Sequence, residues 1–455
     1  MDRKISNFLY SWLQDKGRKP LIIRGARQVG KTWLVRDLAA KANKKLIELN
    51  FERNPSFADL FSSNDPKKIL FAIETALNTT VHTADNILFL DEVQVFPQIL
   101  AKLRWFAEEL PELPVIVAGS LLEFILGEHE FSMPVGRVSY CYVEPLSFQE
   151  FLLGIGQDKL CNFLDSYSLD DSIPQPIHER LWELLREYFI VGGMPAVVAS
   201  WANIRSPAKI SEIQHDLLAT YRDDFAKYKG RVDNVRLEEV LNAIPRLLGQ
   251  KFKYSAVNPD IAAASIKRAL VLLCKAQLCY KVSNCSGNGI PLGAEIRDKI
   301  YKVVFLDVGL VSALLGLSFQ DGLDMQSMYL TNQGKLTEQL VGQLLRAVRP
   351  YYKEPALYYW LREERGSAAE VDYLIQYNNS IIPIEVKSGS SGALKALHLF
   401  MGLKKHHLAV RINADYPSMT NVKTKTHDGK EVAYQLISIP LYLTEQINRL
   451  LGDVL

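Results

Sequence analysis

Gly25-Ala26-Arg27-Gln28-Val29-Gly30-Lys31-Thr32 is the stretch that decides the fold. It fits Gly-x-x-x-x-Gly-Lys-Ser/Thr at every fixed position. It stands between an apolar run, Leu21-Ile22-Ile23-Arg24, and an amphipathic run that starts at Trp33. A strand that turns through such a loop into a helix aims successive backbone N–H groups, and the positive helix end, at phosphate oxygens. Gly25, Ala26, Arg27, Gln28, Val29 and Gly30 form the cradle, and Lys31, Thr32 and Trp33 open the helix. In this geometry Lys31 reaches the β- and γ-phosphates and the Thr32 hydroxyl ligates Mg2+.

Downstream, Ile87-Leu88-Phe89-Leu90 reads as a strand buried on both faces and closes on Asp91-Glu92. Ligands of open α/β sheets gather at such strand ends. Asp91 is expected to hold Mg2+ and Glu92 to orient the attacking water as general base. A third apolar run, Val115-Ile116-Val117-Ala118, ends in Gly119-Ser120. Ser120 is either a sensor of the γ-phosphate lying between the two motifs or the cap of the next helix. Phosphoryl transfer also calls for an arginine on the developing charge. Arg137, in Pro134-Val135-Gly136-Arg137-Val138, is the first candidate and Arg104 the second, against a surface role for each.

Working outward, residues 20–145 alternate β-rich runs with helical ones, which implies an α/β fold with a parallel sheet covered on both faces. The polar stretch 153–176 reads as a loop, and 177–228 as helices broken at Val191-Gly192-Gly193-Met194-Pro195. Residues 229–318 carry 13 Lys and Arg against 7 Asp and Glu, a net +6. A helix starting near Pro259-Asp260 and then two strands around a Gly- and Asn-rich turn suggest a winged helix-turn-helix there. Ser265, Lys267 and Arg268 would face DNA; the other reading is a module that packs the neighbouring domains together.

In the last segment, Asp372 lies in Glu370-Val371-Asp372-Tyr373-Leu374, and Glu385 and Lys387 in Ile384-Glu385-Val386-Lys387. A turn near Asn379 makes the two runs a hairpin, and residues two apart share a face, so both carboxylates and the lysine converge. Such a set suits Mg2+ held by Asp372 and Glu385, with the Val386 carbonyl and Glu338 as further ligands and Lys387 acting on the reaction. The other reading is a salt-bridged edge hairpin.

The chain has 455 residues, and its 48% hydrophobic content is ordinary for a globular protein of two to four domains. A net charge of +2 excludes a polyelectrolyte binder as a whole, and leaves local basic patches open. Five scattered cysteines without metal-ligand spacing fit a reducing compartment. No apolar run approaches the ~18 residues of a membrane span, and residues 1–20 read as an amphipathic helix rather than a signal peptide, so a cytoplasmic location is expected.

At this point the sequence resembles the prokaryotic AAA-type ATPases that carry an uncharacterised C-terminal domain with the restriction-endonuclease-like PD-(D/E)xK fold. The resemblance lies in the phosphate loop, Leu90-Asp91-Glu92-Val93-Gln94, Val117-Ala118-Gly119-Ser120, Val135-Gly136-Arg137-Val138, the run from Glu144 to Phe151, Val191–Pro195, Phe305–Leu310, and the two C-terminal hairpin runs. It implies ATP as the nucleotide and four units: an ATPase core over 1–150, a helical lid over 151–228, a winged helix over 229–318 and a nuclease-like domain over 319–455. Val371 departs from the family's nuclease pattern, where proline is common. Three functions are open: an ATP-driven switch acting on nucleic acid, with or without Mg2+-dependent DNA cleavage by the last domain; a signalling or assembly ATPase whose last domain only binds a partner; or a translocase. A homo-oligomeric ring and a monomeric switch are both consistent with the core.

Overall fold

The chain, described here from a computed structural model, is seen at residues 2–119, 133–225, 232–317, 325–364, 367–389, 392–426 and 429–455. Strands Leu21–Arg24 (β1), Lys45–Asn50 (β2), Asn86–Asp91 (β3), Val115–Ala118 (β4) and Ser139–Tyr142 (β5) make an all-parallel sheet in the order β2-β3-β4-β1-β5. Every residue of β3 and β4 is buried. Two separate apolar layers explain this. Helices Ile5–Gln14 (α1) and Lys31–Lys41 (α2) cover the face carrying Ile23, Ile87 and Ile116; Pro66–Leu77 (α3) and Ile99–Glu109 (α4) cover the face carrying Ile22, Leu88 and Val117. α3 shows how local sequence sets an element. Asp65 caps the N–H groups of Lys67 and Lys68, Pro66 takes the first turn, and Asn78 ends the helix in the left-handed region.

The stretch 153–176, expected as a loop, contains the helix Asp158–Ser166. Its Cys161 and Leu164 are buried, so three-residue spacing outweighs the polar composition around it. Helices Gln175–Val191, Pro195–Ile204 and Pro207–Asp224 follow. The helix expected from Pro259-Asp260 begins at Ala263 instead, because the Asn258 side chain holds the Asp260 N–H in a turn.

Cys279–Cys285 (β6) and Ile296–Phe305 (β7) form the expected antiparallel hairpin, which does not project as a free wing. β6 pairs in parallel with Leu357–Glu364 (β8), Val282 opposite Leu357. The hairpin thereby joins Ser367–Tyr377 (β9), Ser380–Val386 (β10), Leu408–Asn413 (β11), Ser418–Lys425 (β12) and Glu431–Pro440 (β13) in a mixed sheet ordered β12-β13-β11-β10-β9-β8-β6-β7. The long helix Met325–Ala347 and the helix Lys395–Lys404 pack on this sheet. No helix among the described residues is long and apolar enough to cross a membrane.

Candidate active site and its connections

The phosphate loop starts where β1 ends, and Gly30, at φ +94°, turns it into α2. That left-handed angle favours glycine over any residue with a Cβ. Lys31 Nζ donates to the carbonyls of Gly25 at 2.9 Å and Ala26 at 2.8 Å. Burial pulls its pKa down to about 8, against the attraction of Glu92 and Asp91. The Thr32 hydroxyl donates to Asp91 Oδ2 at 3.2 Å, so the two residues expected at Mg2+ stand together. Burial and the Glu92 charge push Asp91 up to about 6, while its hydrogen bonds from Thr32 and Asn50 pull the other way. Glu92 lies beside it at φ +55°, in hydrogen-bond contact with Gln94.

Asn50 was not expected. It ends β2 directly opposite Asp91 and donates to Asp91 Oδ2 at 3.1 Å. A polar residue closing the strand next to the acidic one is the signal that marks it. A second unexpected contact reaches the loop from the helix Pro207–Asp224. Arg27 Nη1 lies 3.0 Å from Asp224 Oδ1, and the Tyr221 hydroxyl donates to the Arg27 carbonyl at 3.0 Å. Ala26 and Val29 are buried, Gln28 is exposed, and Trp33 on the first turn of α2 is 42% exposed. β4 lies between β1 and β3, as the sensor reading requires, but Ser120 itself falls outside the described residues. Arg137 is half exposed and bound at 2.7 Å to Glu108, which Arg104 also contacts; within the chain both arginines are engaged on α4.

Behind the loop, the runs that carry the resemblance converge. Arg3, from the N-terminus, donates to the Val29 carbonyl at 3.2 Å and the Glu144 carbonyl at 2.8 Å, and pairs with Glu150 at 3.0 Å. Glu144 in turn pairs with Arg346 and Arg349 at the end of the long helix. Asp307, fully buried, accepts from the Gly193 N–H at 2.6 Å and from Gln343 Nε2 at 3.0 Å. Burial raises the Asp307 pKa, and these hydrogen bonds oppose the shift. Gly193 has no room for a side chain, since a Cβ would sit 2.0 Å from the Leu146 carbonyl oxygen.

In the C-terminal sheet β9 and β10 pair with Ile384 opposite Tyr373, which brings the three expected residues close. The Val386 N–H donates to Asp372 Oδ2 at 2.8 Å, and Lys387 Nζ lies 2.7 Å from Glu385 Oε1. Burial and the Asp372 charge push Glu385 up to about 7, with Lys387 opposing. Glu338 is present, as expected, and burial raises it to about 7 as well. The sequence reading missed Lys302 of β7, which is buried and lies 2.7 Å from Glu338 Oε1 and 3.8 Å from Asp372 Oδ1, and also pairs with Glu370. Among the described residues no group of three or more His, Cys, Asp or Glu side chains is arranged to hold a metal ion. Lys267 and Arg268 are exposed on the helix Ala263–Lys275, while Ser265 is half-buried.

Residues 17–152 match a family model described as an AAA domain. Residues 182–321 and 333–442 match models described as domains of unknown function, DUF8612 and DUF4143. No curated protein matches the chain. Among solved structures, the Walker-type ATPase of Pyrococcus abyssi is similar at 16% identity and a TM-score of 0.44, over 69% of this chain and 95% of that one. The ORC2 protein of Aeropyrum pernix follows at 12% identity and 0.33, over 72% and 94%. The RuvB Holliday junction branch migration motor of Thermotoga maritima gives 13% and 0.30, over 66% and 93%. The N-terminal part of the chain is an AAA-type P-loop ATPase domain.

Proposed function

We propose that this chain is an ATP-hydrolysing switch that acts on nucleic acid. The observation that carries the reading is the 3.2 Å contact between Thr32 and Asp91, a hydroxyl and a carboxylate from separate motifs brought to one point beside the phosphate loop. Both fit Mg2+, which when bound would neutralise phosphate charge. Lys31 exchanges its loop carbonyls for the β- and γ-phosphates. Glu92 orients the attacking water and takes its proton. Arg137 is exposed and is offered to a neighbouring subunit rather than to its own loop, so a homo-oligomer completes the site in this reading. DNA would meet the exposed Lys267 and Arg268. The protein works in the cytoplasm in this reading.

The test is a pair of variants. Lys31→Ala should lose nucleotide affinity, because it removes the charge on the phosphates. Glu92→Gln should bind ATP as the wild type does and hydrolyse it at least about a hundredfold more slowly, as expected for loss of a general base. Wild-type turnover in Glu92→Gln would remove Glu92 from the mechanism.

A further inference from the structure

The carboxylates expected to gather a divalent cation already face an ammonium group from outside their own segment. Lys302 comes from β7, and its side chain is 1% exposed. It lies within ion-pair distance of Glu338, Glu370 and Asp372. The ring of Tyr359 closes a further side, 5.1 Å from Nζ. The other Asp372 oxygen is taken by the Val386 N–H, and Glu385 Oε1 by Lys387. Glu385 Oε2 is buried and has no hydrogen-bond partner among the described residues. Each of the four carboxylates thus has at least one oxygen already engaged by an ammonium or an N–H group, whereas a hard divalent ion asks for about six oxygen ligands.

A divalent ion on Asp372 would sit roughly 2.0–2.6 Å from its oxygen. Lys302 Nζ is 3.8 Å from Asp372 Oδ1 and 2.7 Å from the Glu338 oxygen, so ion and ammonium would compete for the same small space. Like charges that close, out of water, repel strongly. Without either cation the carboxylates would repel one another.

We infer that Lys302 is the resident cation of this cluster, standing where a metal-dependent nuclease carries its metal, and that the cluster takes up a divalent ion only once that ammonium is removed. The inference rests on no part of the ATP reading. It also accounts for why the nuclease-like residues can persist together without a metal: they hold a lysine from the preceding hairpin.

Mn2+ binding to the nucleotide-free full chain, read from the electron paramagnetic resonance signal of free Mn2+, tests it. Wild type and Asp372→Asn should bind Mn2+ equally, so that any weak uptake at the phosphate loop cancels. Lys302→Met should gain about one Mn2+ per chain, and the gain should vanish in Lys302→Met/Asp372→Asn. Because Lys302→Met leaves carboxylates facing one another, Lys302→Met/Glu338→Gln removes one charge and should show the same gain. Folding of either variant only in the presence of Mn2+ would support the inference equally. A wild-type site that disappears in Asp372→Asn would overturn it, and this arm decides even where neither variant folds. A folded Lys302→Met that binds no more Mn2+ than wild type would overturn it too.

Discussion

Arg27 of the phosphate loop is clasped by Asp224 at the end of the helix Pro207–Asp224, with Nη1 at 3.0 and 3.1 Å from the two carboxylate oxygens. The pair is 197 residues apart in sequence and only partly screened, with the aspartate largely buried. It ties the phosphate loop to that helix. A double-mutant cycle with Arg27→Ala and Asp224→Ala, read by denaturant unfolding, should show a coupling on the order of 1 kcal/mol, discounted for the solvent-facing arginine. Additive effects would mean that the clasp carries no energy.

Lys31 gives a pH signature. Its pKa in this state is about 8, lowered chiefly by burial. Phosphate bound beside it favours the charged form and raises that value. Binding is therefore unaffected while the lysine is already charged, below about pH 8, and takes up a proton above it. Affinity for a non-hydrolysable ATP analogue should fall as pH rises from about 8 to about 9.5, by up to about tenfold per unit. Calorimetry in buffers of different ionisation enthalpy should report the uptake. A flat profile over that range would contradict the assignment.

The basic helix is tested through salt. Lys267→Ala/Arg268→Ala should weaken DNA binding and lower the slope of log K against log salt by about 1 to 2, because fewer counterions are released. The same affinity and slope as wild type would leave this helix as packing alone.

The junction behind the loop is tested by glycine. Gly193→Ala drives a Cβ to 2.0 Å from the Leu146 oxygen, a backbone atom that cannot swing away. A loss of more than about 2 kcal/mol is expected in unfolding measurements. Gly389→Ala, with no described residue within 4 Å of the added carbon, should stay within about 0.5 kcal/mol of wild type. Equal effects at both positions would mean that the junction yields.

The nucleotide site was legible in sequence because its geometry is local. Strand, loop and helix follow one another over residues 21–41, and the inner strands of the parallel sheet carry continuous apolar runs, Ile87-Leu88-Phe89-Leu90 and Val115-Ile116-Val117-Ala118. Asp372, Glu385 and Lys387 were legible for a similar reason, since one tight hairpin brings them together. Lys302 was not. It stands 36 residues from Glu338, on a strand whose neighbours are decided by a parallel pairing across the long helix. β12 was missed because it is mostly exposed and reads Ser418-Met419-Thr420-Asn421-Val422-Lys423-Thr424-Lys425, the composition of a loop. Ser312, two residues past the Phe305–Leu310 run, likewise emerges only in three dimensions, where its hydroxyl donates to the Phe189 carbonyl across the junction at 2.7 Å.

The parallel pairing of β6 with β8 also bears on the order in which the chain matures as it is made. β6 and β7 emerge from synthesis before the long helix, and can close on each other at once. The far edge of β6 then has unpaired N–H and C=O groups until Leu357 arrives opposite Val282. A waiting edge of that kind invites pairing with another nascent chain. The strand that finally covers it brings β9 as its hairpin partner, so one docking event seals the edge and delivers Asp372 to Lys302. Assembly of the acidic cluster therefore has to wait for β8 and β9, which follow the long helix along the chain.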